Sequence, residues 1–307
     1  MLKHIVVAVD DASAYESEGC ALQCAGTLAR QLGGDIALLH VQPPVADDQA
    51  TVTPYQYEGV VDKRRAEQRE HLAGTASALE EMEERVKEWW HVAAQGRVAH
   101  GEPHRTLRRA IESLNGDLLI ARAGEARCSS AYLARLPDDV IRHAQVPVLF
   151  VPGGPCRLMD GVHRVLVPLD GSPGAEEILP LAVRLPGGDG ALHLLTVVPA
   201  STRIESLRRR GATALRSRAT AERYLKAVAS RPDLKGLPVQ WNVIEGVSAE
   251  QGIRDEAERT RCDLVAMSTR AHNGLSGMVL GNVTREVLRD TRVPLLVHRA
   301  GSAPIAA

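Results

Sequence analysis

Apolar residues in this chain come in short unbroken runs rather than in alternation. The runs IVVAV (5–9), IALLHV (36–41), DLLIA (117–121) and VPVLFV (146–151) are near-continuous. A strand with one wet face would alternate, so these runs predict strands covered on both faces: a parallel sheet with helices either side. Between the runs the period changes to that of a helix. Leu22, Ala25, Leu28, Ala29 and Leu32 form a stripe that stops at Gly33-Gly34. Residues 62–92 predict a long charged helix with Leu72, Leu79, Met82, Val86 and Trp89 or Trp90 on one face. Ser172 is the expected N-cap of a further helix, with Pro173 at its first position. Pro180, inside that helix, is expected to bend it.

The pattern occurs twice. HIVVAVDDAS (4–13) matches RVLVPLDGSP (164–173), and DIALLHVQPP (35–44) matches ALHLLTVVPA (191–200). The segment 96–121 matches 239–267, and DDVIRHAQVPVLFVP (138–152) matches REVLRDTRVPLLVHR (285–299). Four matches in one order define an internal repeat. The first copy carries extra length, assigned to the polar stretch 45–59. Turn-forming residues 153–163 separate the copies. The expected organisation is a first domain at 1–152, a linker at 153–163 and a second domain at 164–300. Each is an α/β, doubly wound, five-stranded parallel-sheet domain that binds ligands at the carboxyl ends of its strands.

Composition narrows the function classes. A length of 307 residues fits two domains, and a hydrophobic fraction of 44% fits a globular chain. A net charge of -1 gives no electrostatic reason to expect nucleic acid or a membrane surface. No apolar run approaches a spanning helix. The N-terminal apolar stretch is too short for a signal peptide. Five cysteines without an export signal fit reduced thiols, so the cytoplasm is the expected compartment.

Both copies carry a strand ending in Asp (Asp10 or Asp170), a second strand of the LLHV type, and a DLLIA or DLVAM run. A loop and a VPVLF or VPLLV closing strand follow. With these features the chain resembles the universal stress protein family in tandem form. The resemblance implies an adenine nucleotide alpha hydrolase-like, Rossmann-like fold and a stress-response binding module. It also implies ATP or a related adenine nucleotide as ligand, with magnesium only as carried by the nucleotide. The family's phosphate motif is glycine, two residues, glycine, nine residues, then glycine followed by Ser or Thr. In the second copy those positions are Ser268, Ala271, Gly281 and Asn282. Pro168 would then line the adenine pocket, Asp170 hydrogen-bond the ribose, and Val197 present backbone groups to the base. Met267 and Val283 flank the loop.

The physics of those positions is graded. Glycines let backbone N–H groups approach phosphate without a Cβ in the way. Ser268 and Ala271 are small, so they narrow the cradle without filling it. Gly281 opens a helix whose N–H groups can face an anion. Asn282 can cap a helix or hydrogen-bond a phosphate. The first copy keeps Asp10 and Val41 but has Ala134 and Arg135 in place of Gly281 and Asn282, with Pro137 crowding the helix start. It is expected to be a scaffold. A degenerate chain that binds no nucleotide and acts through a protein partner is the alternative.

Other chemistry is sparse. Cys20 and Cys24 share a helix face and read as small buried hydrophobes, redox or metal roles being the alternative; Cys128 is the likeliest exposed thiol. His100 and His104 lack further ligands, and no metal site is expected. No catalytic constellation stands out, so an enzyme is not expected. Any ATPase or self-phosphorylation, at Thr284 or Ser268, would be slow and incidental. The basic stretch 203–228 and the acidic residues 80, 81, 83 and 84 sit at equivalent positions of the repeat, and mutual complementarity is the expected account. The closing strands 146–151 and 293–298 are apolar edges expected to join the copies as an intramolecular pseudo-dimer. Further homo-oligomerisation and an unnamed protein partner stay open.

Overall fold

The computed structural model describes residues 2–9, 15–42, 73–123, 137–152, 158, 160–199, 217–246, 248–270, 280–290 and 292–301. The first half runs β1 (His4–Ala8), α1 (Tyr15–Leu32), β2 (Asp35–Gln42), α2 (73–90), β3 (Ala94–His100), α3 (Pro103–Ser113), β4 (Leu118–Ala123), α4 (Pro137–Ala144) and β5 (Val148–Pro152). The second runs β6 (Arg164–Pro168), α5 (Pro173–Glu176), α6 (Leu179–Ala182), β7 (Ala191–Pro199), α7 (Arg218–Ala229), β8 (Val239–Gly246), α8 (Ala249–Thr260), β9 (Leu264–Arg270), α9 (Asn282–Asp290) and β10 (Leu295–Ala300).

The strands form one sheet in the order β3-β2-β1-β4-β5-β10-β9-β6-β7-β8. Each half is parallel throughout, and the halves meet in an antiparallel seam with Leu296 opposite Leu149 and Val297 opposite Val148. Both seam strands begin two residues later than their sequence runs. Pro147 and Pro294 have no N–H to give a ladder, so pairing starts after them.

Adjacent residues of β1 explain the unbroken apolar runs. Ile5 and Val7 enter one core with α1, α2, α6 and α7, whereas Val6 and Ala8 enter the other with α3, α4, α8 and α9. Both cores run through the seam from one half into the other. The segment between the halves is pinned to α1. The Val162 N–H donates to Gln31 Oε1 at 2.8 Å, and the Gln31 amide donates to the Leu185 carbonyl. Gln23 and Thr27 both donate to the Leu158 carbonyl, at 3.1 and 3.3 Å.

Local rules account for the helix ends. Leu22, Ala25, Leu28 and Ala29 of the α1 stripe are buried and Leu32 partly so, and Gly33 takes φ 64° to end the helix. On α2, Leu79, Met82, Val86 and Trp90 are buried and Trp89 faces solvent; residues 62–72 lie outside the described residues. At Pro180 the helical hydrogen-bond ladder is interrupted, while Glu177 and Ile178 between the two pieces keep helical dihedrals. The first piece, α5, ends at Glu176, and α6 restarts at Leu179 with the proline in its opening turn, where a missing N–H costs little. The described parts of the acidic and basic helices lie apart. One packs on β3 and the other on β8, at opposite ends of the sheet. Their charges are met locally, by Lys87 for Glu83 and by Glu222 for Arg218. Residues 203–216 are outside the described residues.

Candidate functional site

Two aspartates that the sequence reading passed over set the depth of the strands. Asp263 Oδ2 accepts the N–H groups of His163 and Arg164 at 2.9 and 2.8 Å, while its own N–H donates to the Arg164 carbonyl at 2.9 Å. Asp117 repeats the clamp with Lys3 and His4. The signal was present: Asp opens both the DLLIA and the DLVAM runs.

At the other end of β6, Pro168 pairs with Leu195 of β7. The Leu169 N–H donates to the Leu195 carbonyl at 2.8 Å, and the Leu169 carbonyl accepts the Thr196 hydroxyl at 2.9 Å. This fixes the backbone just before Asp170. Gly171 turns the chain at φ 81°, which only glycine adopts without strain. Asp170 Oδ1 then receives the Ser172 N–H at 2.9 Å and the Ser172 hydroxyl at 2.5 Å. Ser172 Oγ accepts the Ala175 N–H at 3.2 Å, so it caps α5 as its sequence predicts. On β7, Val197 is half-buried in register with Ile244. A Cβ on Gly252 of α8 would lie 2.9 Å from both Val197 and Ile244 side chains, so glycine there lets α8 lie close.

The β9 end is more closed than its sequence implies. Met267 is buried toward α8 and α9. The Ser268 hydroxyl is shut off from solvent and has no hydrogen-bond partner among the described residues. Thr269, 2% exposed, accepts the Gly281 N–H on its hydroxyl at 3.1 Å. One donor of the helix start is therefore held by the protein itself. Gly281 stands just before α9, and its carbonyl accepts the Arg285 N–H at 3.0 Å. Asn282 is thus the first helical residue, exposed, rather than the cap. Val283 packs half-buried against the core and Thr284 is buried. A Cβ built on Gly281 meets no described atom within 4 Å. Ala271 lies outside the described residues.

Strands β7, β6 and β9 are neighbours, so Val197, Pro168, Asp170, Met267 and Ser268 share one end of the sheet. Thr269 ties Gly281, Asn282 and Val283 to it. Thr269 was not singled out from sequence; a hydroxyl at the strand end, twelve residues before Gly281, was the available signal. Beside Asp170, Glu176 of α5 accepts the Tyr224 hydroxyl at 2.9 Å and Arg231 Nη1 at 2.8 Å, which binds α7 to the site's first turn. Burial and then Glu176 push the Tyr224 phenol well above its ordinary pKa, so it remains a donor.

In the first half Val41 is half-buried, and His40 Nδ1 lies 2.9 Å from the Val9 carbonyl, where the second half has Thr196 and Leu169. Arg122 stands at the position of Ser268. Pro137 is the first residue of α4, a place proline tolerates. Asp10, Ala134, Arg135, Cys128 and Cys156 lie outside the described residues. Cys20 and Cys24 are buried, as is Cys262. His100 is exposed at the end of β3. Among the described residues no group of three or more His, Cys, Asp or Glu is placed to hold a metal, and no helix is long and apolar enough to cross a membrane.

These features define a tandem Rossmann-like α/β protein. The model of the universal stress protein family matches residues 1–152 and 161–299, and the chain belongs to that family. A universal stress protein of Synechocystis sp. is 27% identical over 203 residues, covering 64% of this chain and 64% of that protein. One from Mycobacterium tuberculosis is 28% identical over 188 residues, covering 59% of this chain and 61% of that protein. The matches thus span less than two thirds of these relatives' length. The crystal structure of a universal stress protein from Archaeoglobus fulgidus superposes with a TM-score of 0.63 at 19% identity, covering 98% of this chain and 97% of that one.

Proposed function

We propose that this chain is a stress-response binding module whose second domain, residues 164–300, takes ATP or a related adenine nucleotide. Family membership supports the class. The observation that carries the ligand is the pairing of two features at adjacent strand ends. Asp170 is pre-oriented by Ser172, and Gly281 stands at the start of α9 with no described atom within 4 Å of where a Cβ would sit. In this reading Asp170 takes the ribose hydroxyls, Pro168 and Val197 flank the base, and Met267 shapes the floor. Ser268, Ala271, Gly281, Asn282 and Val283 form the phosphate side, where backbone N–H groups and the helix dipole favour an anion. Magnesium would arrive with the nucleotide.

The first domain, residues 1–152, serves as a scaffold, joined through residues 153–163 and the β5–β10 seam. The module works in the cytoplasm by binding, without a turnover cycle. A second reading is favoured by one observation: Thr269 already holds the Gly281 N–H. A loop satisfied in this way also suits a chain that has given up nucleotide and acts through a protein partner.

Calorimetric titration of the purified chain with ATP separates the two. Because a Cβ at Gly281 meets no described atom, Gly281→Arg is expected to block the start of α9 with little cost to the fold. Binding by the wild type and none by Gly281→Arg supports the nucleotide reading. No heat at millimolar ATP favours the scaffold, and equal binding by the variant moves the site elsewhere.

A further inference from the structure

The two helices that hold equivalent places in the repeat carry opposite charge and stand at opposite ends of the ten-stranded sheet. On α2, Glu80, Glu81, Glu84 and Glu88 are exposed, against Arg85 and Lys87. Glu83 reaches over the edge of β3 and accepts the Gly96 N–H at 2.9 Å, so the acidic helix lies at the very end of the sheet. On α7 and the segment leading to β8, Arg218, Arg223, Lys226 and Lys235 are exposed, against Glu222 and Asp233. One end of the sheet is therefore acidic and the other basic, although the whole chain carries a net charge of -1. Among the described residues no strand pairs with the outer edge of β3 or of β8. An open edge invites a partner unless it is guarded. On β8, Trp241 is 39% exposed, although Val239 and Val243 on the same face pack into the core beneath α7. An indole left partly in water beside a basic helix is an apolar anchor for whatever lies along that edge.

We propose that the occupant is a second copy of this chain, docked head to tail, with the α7–β8 end of one molecule against the α2–β3 end of the next. Each half is parallel and the halves meet antiparallel, so β3 and β8 of one molecule run in opposite directions. Two copies laid side by side with the same face up therefore bring β8 beside β3 in the antiparallel sense that the seam already uses. Helices α2 and α7 pack on the same face of the sheet. This placement thus sets the acidic helix of one copy along the basic helix of the other, with Trp241 between them. Glu83 on Gly96 denies the contact a continuous ladder, so the helix charges and Trp241 carry it. Symmetric arrangements do the reverse. A two-fold dimer through β3 opposes α2 to α2, and one through β8 opposes α7 to α7, like charge on like. Charge selects the heterologous contact over both. Such a contact leaves one acidic and one basic end free at every stage, so it extends into a chain unless the rotation closes a ring. It does not depend on the nucleotide reading.

Sedimentation velocity of the purified chain, at rising protein concentration and two salt levels, tests this. At about 0.02 M salt the average mass should climb past twice that of the 33.1 kDa monomer, and at about 0.5 M salt it should fall back toward the monomer, because screening shortens the reach of the charges several-fold. Glu80→Lys, Glu81→Lys and Glu84→Lys together make both ends basic; Arg223→Glu, Lys226→Glu and Lys235→Glu together make both ends acidic. All six side chains are exposed, so the fold is spared. Each triple variant alone should need at least about tenfold higher concentration to associate. Mixed in equal amounts, the two should associate as the wild type does, because each then offers the other complementary ends. A misfolded variant cannot give that rescue. A wild type that stops at a dimer overturns the head-to-tail geometry, and one that stays monomeric at low salt overturns the self-association. Association of either variant alone at wild-type concentrations, or no rescue on mixing, overturns the role of α2 and α7.

Discussion

His193 on β7 and Glu256 on α8 face each other in the interior, Nε2 2.7 Å from the carboxylate, at 5% and 3% exposure. Asn242 donates to the same carboxylate at 3.0 Å, and Arg259 donates to both of its oxygens at 2.7 Å. At the equivalent positions the first half has Ala37 and Ala110, both buried. A charged network has thus replaced small apolar packing in the half that carries the candidate site. Removing His193 or Glu256 strands the other in a dry environment, whereas Arg259 reaches solvent. We expect Glu256→Ala to cost about 3 kcal/mol in urea denaturation, whereas His193→Leu with Glu256→Met costs clearly less than the sum of the two single changes. Strict additivity would show that the pair is not coupled.

The same carboxyl gives a pH signature. Its pKa is lowered from 4.5 to about 2, chiefly by the Arg259 hydrogen bonds acting against burial, then by Asn242 and His193. The folded value lies below the unfolded one. This contribution is therefore complete above pH 4.5 and is lost as pH falls from there toward 2. The stability gap between wild type and Glu256→Gln should be widest at pH 6 to 7 and narrow steadily below pH 4.5. A constant gap down to pH 2.5 would refute the assignment.

The aspartate clamps make a symmetric pair of expectations. Asp263→Ala and Asp117→Ala each leave two N–H groups without a carboxylate at the start of a strand. Each should lower stability by about 1–3 kcal/mol, and the two should add, because they sit in different halves of the sheet. Denaturation of the single and double variants measures both statements.

The seam makes the two halves one folding unit. Leu149 and Leu296 are buried opposite each other within cores that cross it. In a Trp241→Phe background, fluorescence reports only the first half, through Trp89 and Trp90. Leu296→Ala, placed in the second half, should destabilise that fluorescence transition by about 3 kcal/mol, together with the circular dichroism transition. Fluorescence unmoved by the substitution would mean that the halves unfold independently.

What could be read from residues alone divides along physical lines. Burial on both faces leaves an unbroken apolar run, so β1, β2, β4, β5 and the parallel sheet were legible from IVVAV and its equivalents. Ser172 and Pro173 carried their capping role in their chemistry. The seam was legible because an apolar closing strand at an open edge needs a partner, although only the prolines show where its ladder begins. Long-range polar bonds were not legible. Thr269 to Gly281, Asp263 to Arg164 and His193 to Glu256 join residues whose proximity only the sheet order creates. The described parts of the acidic and basic helices, α2 and α7, are apart for the same reason, since equivalent places in a repeat become opposite ends of a joined sheet.

In the proposed nucleotide reading, Thr269 bears directly on the phosphate side. Its hydroxyl takes the Gly281 N–H at 3.1 Å, a donor that an anion at the start of α9 would otherwise receive. Thr269→Val keeps the shape and removes the acceptor. A neutral hydrogen bond is worth about 1 kcal/mol net, whereas one from an N–H to a charged phosphate is worth about 1.5–3 kcal/mol. The exchange therefore favours ligand. We expect Thr269→Val to lose about 1 kcal/mol of stability in urea and to bind ATP several-fold more tightly by calorimetry. Weaker ATP binding by the variant would mean that the Thr269 hydroxyl contacts the nucleotide or fixes the helix start in its binding geometry. An unchanged affinity with lowered stability would leave the Gly281 N–H outside the site and confine the phosphate contacts to residues beyond it.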